Sequence, residues 1–288
     1  MGVRRIVVPL VGVESERKAL TLAFRAGAIT GAHVDALFVL PDPNEALPYL
    51  GEGLTGGMIE DILASAQERG KACSALAHAM FAETASAAGA RIVEEAVRDS
   101  ALTGRFLAES GAVGDVVARA AWACDLVVAG DAVIEPSAFE AALIDAGRPV
   151  LISPKGELPA AVGSHVFIAW RSSTEAGHAV TAALPFLKRA ASVKLATVRR
   201  EGKGEVDAAD SIAAVTDYLA FHGVACTTQV FDLGGRALST ALMETVASEG
   251  ADLLVMGGYG HSRLREFILG GVTRDVASNA PVPILMAH

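Results

Sequence analysis

The stretch Asp252-Leu-Leu-Val-Met-Gly-Gly-Tyr-Gly-His-Ser-Arg-Leu-Arg-Glu-Phe-Ile-Leu-Gly-Gly-Val-Thr-Arg-Asp275 decides how this chain folds. Leu253 to Met256 has the length and bulk of a buried strand, and Gly257 and Gly260 follow at once. Nine residues further on, Gly270 and Gly271 lead into Val272-Thr-Arg-Asp-Val-Ala-Ser278, a predicted short helix. Glycines at the carboxyl end of a parallel strand let the backbone turn with positive φ and approach a ligand closely, because no Cβ intervenes. The first N–H groups of the helix beyond have no intrahelical partner and lie at the positive end of its dipole. Strand, glycines and helix together predict an anion site, with the Thr273 hydroxyl and the cationic candidates His261, Arg263, Arg265 and Arg274 beside it. A tight turn with a close helix-to-sheet contact is the competing reading of the same glycines.

Outward from this stretch, the chain alternates apolar strands with amphipathic helices. Arg5 to Val11 reads as a buried strand, Glu16 to Ile29 as a helix ending at Gly31, and His33 to Leu40 as the next strand, which makes one right-handed crossover unit. Asn44 to Gly57 carries Pro48 and several glycines and is expected to be a loop. Met58 to Ala88 reads as a long helix with Gly70 as its weak point, Arg91 to Glu95 and Gly104 to Glu109 as strands, Ala112 to Ala123 as a helix, and Asp125 to Gly130 as another buried strand. Pro149 to Pro154 closes this half, and Lys155 to Gly163 is the expected linker.

The second half repeats the first. His165 to Trp170 answers the opening strand, Arg171-Ser-Ser-Thr leads into a helix through Leu187 with Ser173 or Thr174 as N-cap, and Ser192 to Val198, Ala208 to His222, Ala225 to Asp232 and Leu238 to Ser248 alternate strand and helix. Val282 to Ala287 is the last strand. Internal duplication predicts two tandem α/β domains, residues 1–155 with a helical insertion around 44–88 and residues 164–288, packed together through Val150 to Ser153 and Val282 to Met286 as a pseudo-dimer within one chain. A homodimer of chains is left open. The first copy lacks the glycine loop: Gly130-Asp-Ala-Val-Ile-Glu135 has no second glycine and places acids where phosphate would sit, so at most one nucleotide site per chain is expected, in the second half.

Composition narrows the function. The 288 residues suffice for two cores, and the net charge of −9 argues against a groove for nucleic acid backbone. Charged residues interrupt every apolar run before it reaches the length of a membrane span. Met1 to Leu10 enters a strand with no separate apolar core and cleavage site, which leads us to expect a cytoplasmic protein. The three cysteines, Cys73, Cys124 and Cys226, are far apart and odd in number, as reduced thiols would be rather than a disulfide framework or a zinc site.

At Gly257-Gly-Tyr-Gly260, nine residues, and Gly270-Gly-Val-Thr273, the sequence resembles the universal stress protein family, whose pattern is Gly, two residues, Gly, nine residues, Gly, then Ser or Thr. The resemblance extends to Ile6-Val-Val-Pro-Leu10 as the family's first strand and Ala169-Trp-Arg-Ser-Ser173 as its first loop, so the chain looks like a tandem member. It implies five-stranded parallel sheets, Rossmann-like and of the adenine nucleotide alpha hydrolase-like type. It also implies ATP or another adenine nucleotide, with or without Mg²⁺, with ribose and phosphates at Gly257, Gly260, His261, Gly270, Gly271, Val272 and Thr273 and adenine near Ala169, Trp170 and Arg171. Two positions depart from the pattern: Gly271 replaces the usual hydroxyl residue, and Val11 and Arg171 stand where an Asp is common.

No paired carboxylates, nucleophile elbow or dinucleotide fingerprint is legible, so a regulatory nucleotide with slow or no turnover is expected. A nucleotide-independent interaction protein using the 44–88 insertion is the first rival, and a slow ATPase the second.

Overall fold

The computed structural model describes residues 2–40, 56–97, 101–130, 136–198, 205–258 and 271–288. In chain order the first half contains β1 (Arg5–Leu10), α1 (Arg17–Thr30), β2 (His33–Leu40), α2 (Gly56–Ala87), β3 (Arg91–Ile92), β4 (Thr103–Ser110), α3 (Val113–Ala121), β5 (Leu126–Ala129), α4 (Pro136–Glu140), which continues as a π turn over Ala141–Asp145, and β6 (Val150–Ile152). The second half contains β7 (His165–Ala169), α5 (Thr174–Leu187), β8 (Ser192–Val198), α6 (Glu205–Phe221), β9 (Thr227–Phe231), α7 (Leu238–Ser248), β10 (Leu253–Gly257), α8 (Gly271–Asn279) and β11 (Ile284–Ala287). The central strands β1, β5, β6, β10 and β11 are short apolar runs, while the outer strands β4, β8 and β9 mix polar with apolar residues. α5 begins where the hydroxyl of Ser173 accepts the N–H of Ala176.

All strands join one sheet in the order β3-β4-β2-β1-β5-β6-β11-β10-β7-β8-β9. Within each half the pairs are parallel, and the halves meet where β6 and β11 pair antiparallel, Leu151 opposite Leu285. The expected seam through the last strands is therefore present. Because that pairing is antiparallel, the strands of the two halves point in opposite directions and their carboxyl ends lie at opposite edges of the sheet. The first half has the six strands read from its sequence, one more than the five the resemblance implies, and the two-residue β3 continues the edge beyond β4. It is shorter than the run Arg91 to Glu95 suggested.

Alternating side chains on the strands feed two apolar layers. Ile6, Val8 and Leu10 pack with Leu20, Phe24, Met80 and Phe81 of α1 and α2, and the same layer continues under α5 and α6 through Ile168, Val180 and Leu219. Val7, Val127, Leu254 and Met286 face the other layer, under α3, α4, α7 and α8. Helices cover both faces of a mostly parallel sheet, as burial of both faces requires.

The long helix α2 is pinned by two close approaches. A Cβ on Gly70 would lie 2.5 Å from Leu40 Cδ1, and one on Gly12 would lie 2.5 Å from the carbonyl oxygen of Cys73. Gly70 is thus a packing residue inside the helix. At ~1.5 Å per residue, the turns before Gly70 carry α2 about 20 Å past the carboxyl ends of β1 and β2. The linker is held too: Lys18 Nζ donates to the carbonyls of Pro154, Lys155 and Gly156 at 3.0–3.1 Å, and Arg25 donates to Pro159 O. The loop expected over Asn44 to Gly57 lies almost wholly outside the described residues.

Candidate functional site

In an open α/β sheet, ligands bind beyond the carboxyl ends of the strands where the strand order reverses. The strand order gives each half one such point, between β1 and β5 in the first and between β7 and β10 in the second. In the second half Ala169 is paired with Met256 on one side and with Ala196 on the other, so Ala169, Trp170 and Arg171 leave the sheet beside Gly257 and Gly258. The chain then crosses to α8, whose first turn, Gly271 to Thr273, must lie at the same edge because β10 and β11 run parallel. Ala169, Trp170, Arg171, Gly257, Gly271, Val272 and Thr273 are thereby brought to one edge. Gly260, His261 and Gly270 lie outside the described residues.

Each of these residues has a local physical role. Trp170 is half-buried; its backbone N–H donates to Ala196 O at 2.7 Å and its indole N–H to Ser211 Oγ of α6 at 2.9 Å, so the ring is fixed as a wall at the strand end. Arg171 is exposed beside it, Val272 is 39% exposed on the first turn of α8, and Thr273 is buried. Gly257 lies against the start of α5: an added Cβ would come 2.6 Å from Ala176 N and 2.8 Å from the Glu175 carbonyl carbon. Gly258 lies under Met286 and donates its N–H to Ala287 O at 2.8 Å. The missing Cβ at these two strand-end glycines is therefore required by packing.

The first half arranges its corresponding edge differently. The amides of Val11, Gly12 and Val13 all point at one carboxylate, that of Glu16, with Val11 N–H to Oε1 at 2.7 Å and Gly12 and Val13 N–H to Oε2 at 3.0 and 3.1 Å. Gly12 has φ of +88° and lies directly under Cys73 of α2. Asp131 and Glu135 lie outside the described residues.

Sequence reading missed the polar groups that set the strands. Asp252 accepts the N–H groups of Gly163, Ser164 and His165, and Asp125, at the same place in the first repeat, accepts those of Arg4 and Arg5. A buried cluster at the amino end of the first-half sheet joins Asp35 to Arg5, Arg105 and His33 at 2.8–3.1 Å, and His33 Nδ1 lies 2.8 Å from Thr103 Oγ1. Burial alone would raise the pKa of Asp35, but hydrogen bonds from His33, Arg105 and Arg5 outweigh it and hold the carboxyl well below the usual carboxylate range. The signal available in the sequence was an Asp inside an otherwise apolar strand, two residues after a His.

Among the described residues no group of His, Cys, Asp and Glu could hold a metal ion, and no helix is long and apolar enough to cross a membrane.

Comparison with known proteins adds a family. The model of the universal stress protein family matches residues 165–288. Across solved structures, a universal stress protein from Archaeoglobus fulgidus DSM 4304 is similar over 98% of this chain and 97% of its own, with 17% identity and a TM-score of 0.68. A functionally unknown protein from Pseudomonas aeruginosa PAO1 is similar over 99% of this chain and 92% of its own, with 13% identity and a TM-score of 0.56. At these identities the likeness is one of fold, and it extends through both halves. No curated protein matches.

Proposed function

We propose that this chain, which belongs through residues 165–288 to the universal stress protein family, binds an adenine nucleotide at the carboxyl edge of its second half as a regulatory ligand. The observation that carries the reading is the pairing of Ala169 with Met256, which sets the Trp170–Arg171 exit from β7 beside the Gly257–Gly258 exit from β10. That is the place where an open α/β sheet has a crevice, and α8 begins at the same edge with a first turn whose amides have no intrahelical partner and suit phosphate.

In this arrangement Trp170 forms the wall against the base, Gly257 and Gly260 let the backbone approach the ribose, and Gly270, Gly271, Val272 and Thr273 present their amides to the phosphates. His261 and Arg171 contribute charge, and Mg²⁺ rides on the phosphate oxygens. Gly271 keeps its amide but lacks the hydroxyl common in the family, a loss of about 0.5–1.5 kcal/mol. Residues 1–155 act as a structural partner. The protein is a binding module in stress response with slow turnover at most.

Titration calorimetry of the full chain with ATP, ADP and AMP tests this. One nucleotide per chain, with binding lost in Gly270→Asp, is the expected result. A protein that releases no nucleotide on denaturation and shows no heat with any of the three would sink the reading in favour of a nucleotide-independent interaction protein. Phosphate release that Gly270→Asp abolishes would instead show a slow ATPase.

A further inference from the structure

Over the carboxyl end of β6, beside its seam with β11, the two halves of the chain share a cleft of about 80 Å³. Ser15 and Lys18 reach it from the turn that opens α1, Ser153 and Lys155 from the chain leaving β6, and Ala277 and Ser278 from the last turns of α8. We propose that this cleft binds one small tetrahedral oxyanion, of the size of phosphate or sulfate, which ties α1, the linker and α8 together. The site is separate from the one proposed for a nucleotide, which uses the first turn of α8 at the opposite edge of the sheet.

Two ammonium groups line the cleft in a chain of net charge −9. Among the described residues neither has a carboxylate within 4.0 Å. Lys18 Nζ is held by the carbonyls of Pro154, Lys155 and Gly156, and Lys155 Nζ lies 3.4 Å from Asn279 Oδ1. These neutral acceptors fix the ammonium groups without cancelling their charge. The neighbouring acids are engaged elsewhere: Glu14 pairs with Arg17 at 2.6 Å, and Glu16 takes the amides of Val11, Gly12 and Val13. The carbonyl end of α8 opposes an anion, and the second lysine offsets it.

The cleft also holds a donor with no acceptor. Ser153 is 6% exposed, its N–H donates to Ala129 O at 3.0 Å, and its hydroxyl makes no hydrogen bond among the described residues. Leaving such a group unsatisfied costs free energy, and an oxyanion in the cleft supplies the missing acceptor. The exposed hydroxyl of Ser15 stands at the rim as a second donor.

The internal repeat separates this arrangement from capping alone. Counted from Val13 and Ser173, each of which precedes its first helical turn, His178 stands at the place of Lys18 and Glu175 at that of Ser15. His178 Nδ1 donates to His288 O at 2.8 Å as Lys18 donates to Pro154 O, so both repeats hold the chain beyond their last strand. Beyond that shared bond, the first repeat brings a second cation and two hydroxyls. Its copy has a buried carboxylate in the place of Ser15, which would repel an anion.

The test uses the full chain, with sodium phosphate and sodium sulfate as separate probes and sodium chloride at equal ionic strength as the reference. The amide resonances of Ser153, Lys155 and Ser278 are followed together with the melting temperature. Both oxyanions should shift these resonances saturably and raise the melting temperature above its value in chloride. Ser153→Ala leaves the Lys18 bonds in place and should weaken the response about tenfold. Lys155→Gln removes one charge and should weaken it about threefold. Gly270→Asp, in the second-half loop, should leave it unchanged. If chloride does what the oxyanions do, or if Ser153→Ala responds as the wild type does, Lys18 is only a clamp on the linker and the proposal is overturned. A phosphate response that Gly270→Asp removes belongs to the second half and overturns it equally. ATP binding by Ser153→Ala, measured by calorimetry, should match the wild type, so the two sites can fail independently.

Discussion

Asp252, the residue just before β10, accepts the backbone N–H of Ser164 at 3.0 Å across 88 residues of sequence. Its other oxygen takes the N–H groups of Gly163 and His165 at 2.9 and 3.0 Å, so one side chain fixes where β7 enters the sheet. The Gly163 bond is buried. Asp252→Ala leaves these amides without that acceptor and is expected to cost about 3 kcal/mol of stability. Urea unfolding checks it, with Asp252→Asn, which keeps one acceptor oxygen, losing less.

Asp35 makes the stability of the first half sensitive to acid. Its folded-state pKa is depressed, so its contribution is complete above the unfolded value of about 3.9 and is lost as pH falls from there towards the folded value. Unfolding free energy measured from neutral pH downwards should fall below about pH 4 in the wild type. Asp35→Asn should be less stable at pH 7 and should lose the part of that slope due to Asp35. Asp35→Ala leaves Arg5 and Arg105 without their carboxylate and should cost about 3–5 kcal/mol.

Gly257 ends β10 and Gly130 directly follows β5, the same strand in each repeat, yet their surroundings differ. A Cβ at Gly257 would strike the backbone of Glu175 and Ala176, whereas one at Gly130 would meet nothing within 4 Å among the described residues. Gly257→Ala should therefore cost about 1–3 kcal/mol, and Gly130→Ala should stay within about 0.5 kcal/mol of the wild type. Thermal unfolding of the two variants measures the contrast. Equal effects would mean that the close approach of β10 to α5 is not what requires glycine.

The same pair of glycines shows what a sequence can disclose. Duplicated strands, the crossover order and the seam between β6 and β11 were all readable, because apolar periodicity and repetition act locally and leave a pattern. Which glycine is required by packing was not, since that depends on what crosses above it. Glu16 read only as the start of a helix, and its three amide partners become evident once the loop after β1 closes on it. Asp125 and Asp252 looked like strand boundaries, and their partners lie 87 to 121 residues away. The helix α4 also went unread, although Pro136 at its start and Ala138, Phe139, Ala142 and Leu143 on its buried side carry a signal. Its brevity hid the period.

The thiols should report burial rather than redox chemistry. Burial pushes Cys124 up to about 11, against a partial opposing pull from Arg148, and also raises Cys226. At pH 8 about a thousandth of Cys124 is thiolate, compared with roughly a quarter for an ordinary cysteine. Native protein treated with iodoacetamide should label Cys124 at least a hundredfold more slowly than unfolded protein. Peptide mass mapping over time gives the rates. Fast labelling of Cys124 in the native state would mean that the layer around Val116 and Val127 opens readily.

Trp170 makes the proposed site optically visible. Its indole N–H is held by Ser211 at 2.9 Å, while Trp122, the other tryptophan of the chain, is 60% exposed and belongs to the first half. Trp122→Phe should leave stability within about 0.5 kcal/mol of the wild type, since little is buried there. The single-tryptophan variant should then lose fluorescence on adding an adenine nucleotide, because a base placed at the end of β7 stacks against or shields that ring. Ser211→Ala frees the indole and should blunt the change without abolishing calorimetric binding. Binding heat without any response from Trp170 would place the base elsewhere on the edge, away from the β7 exit.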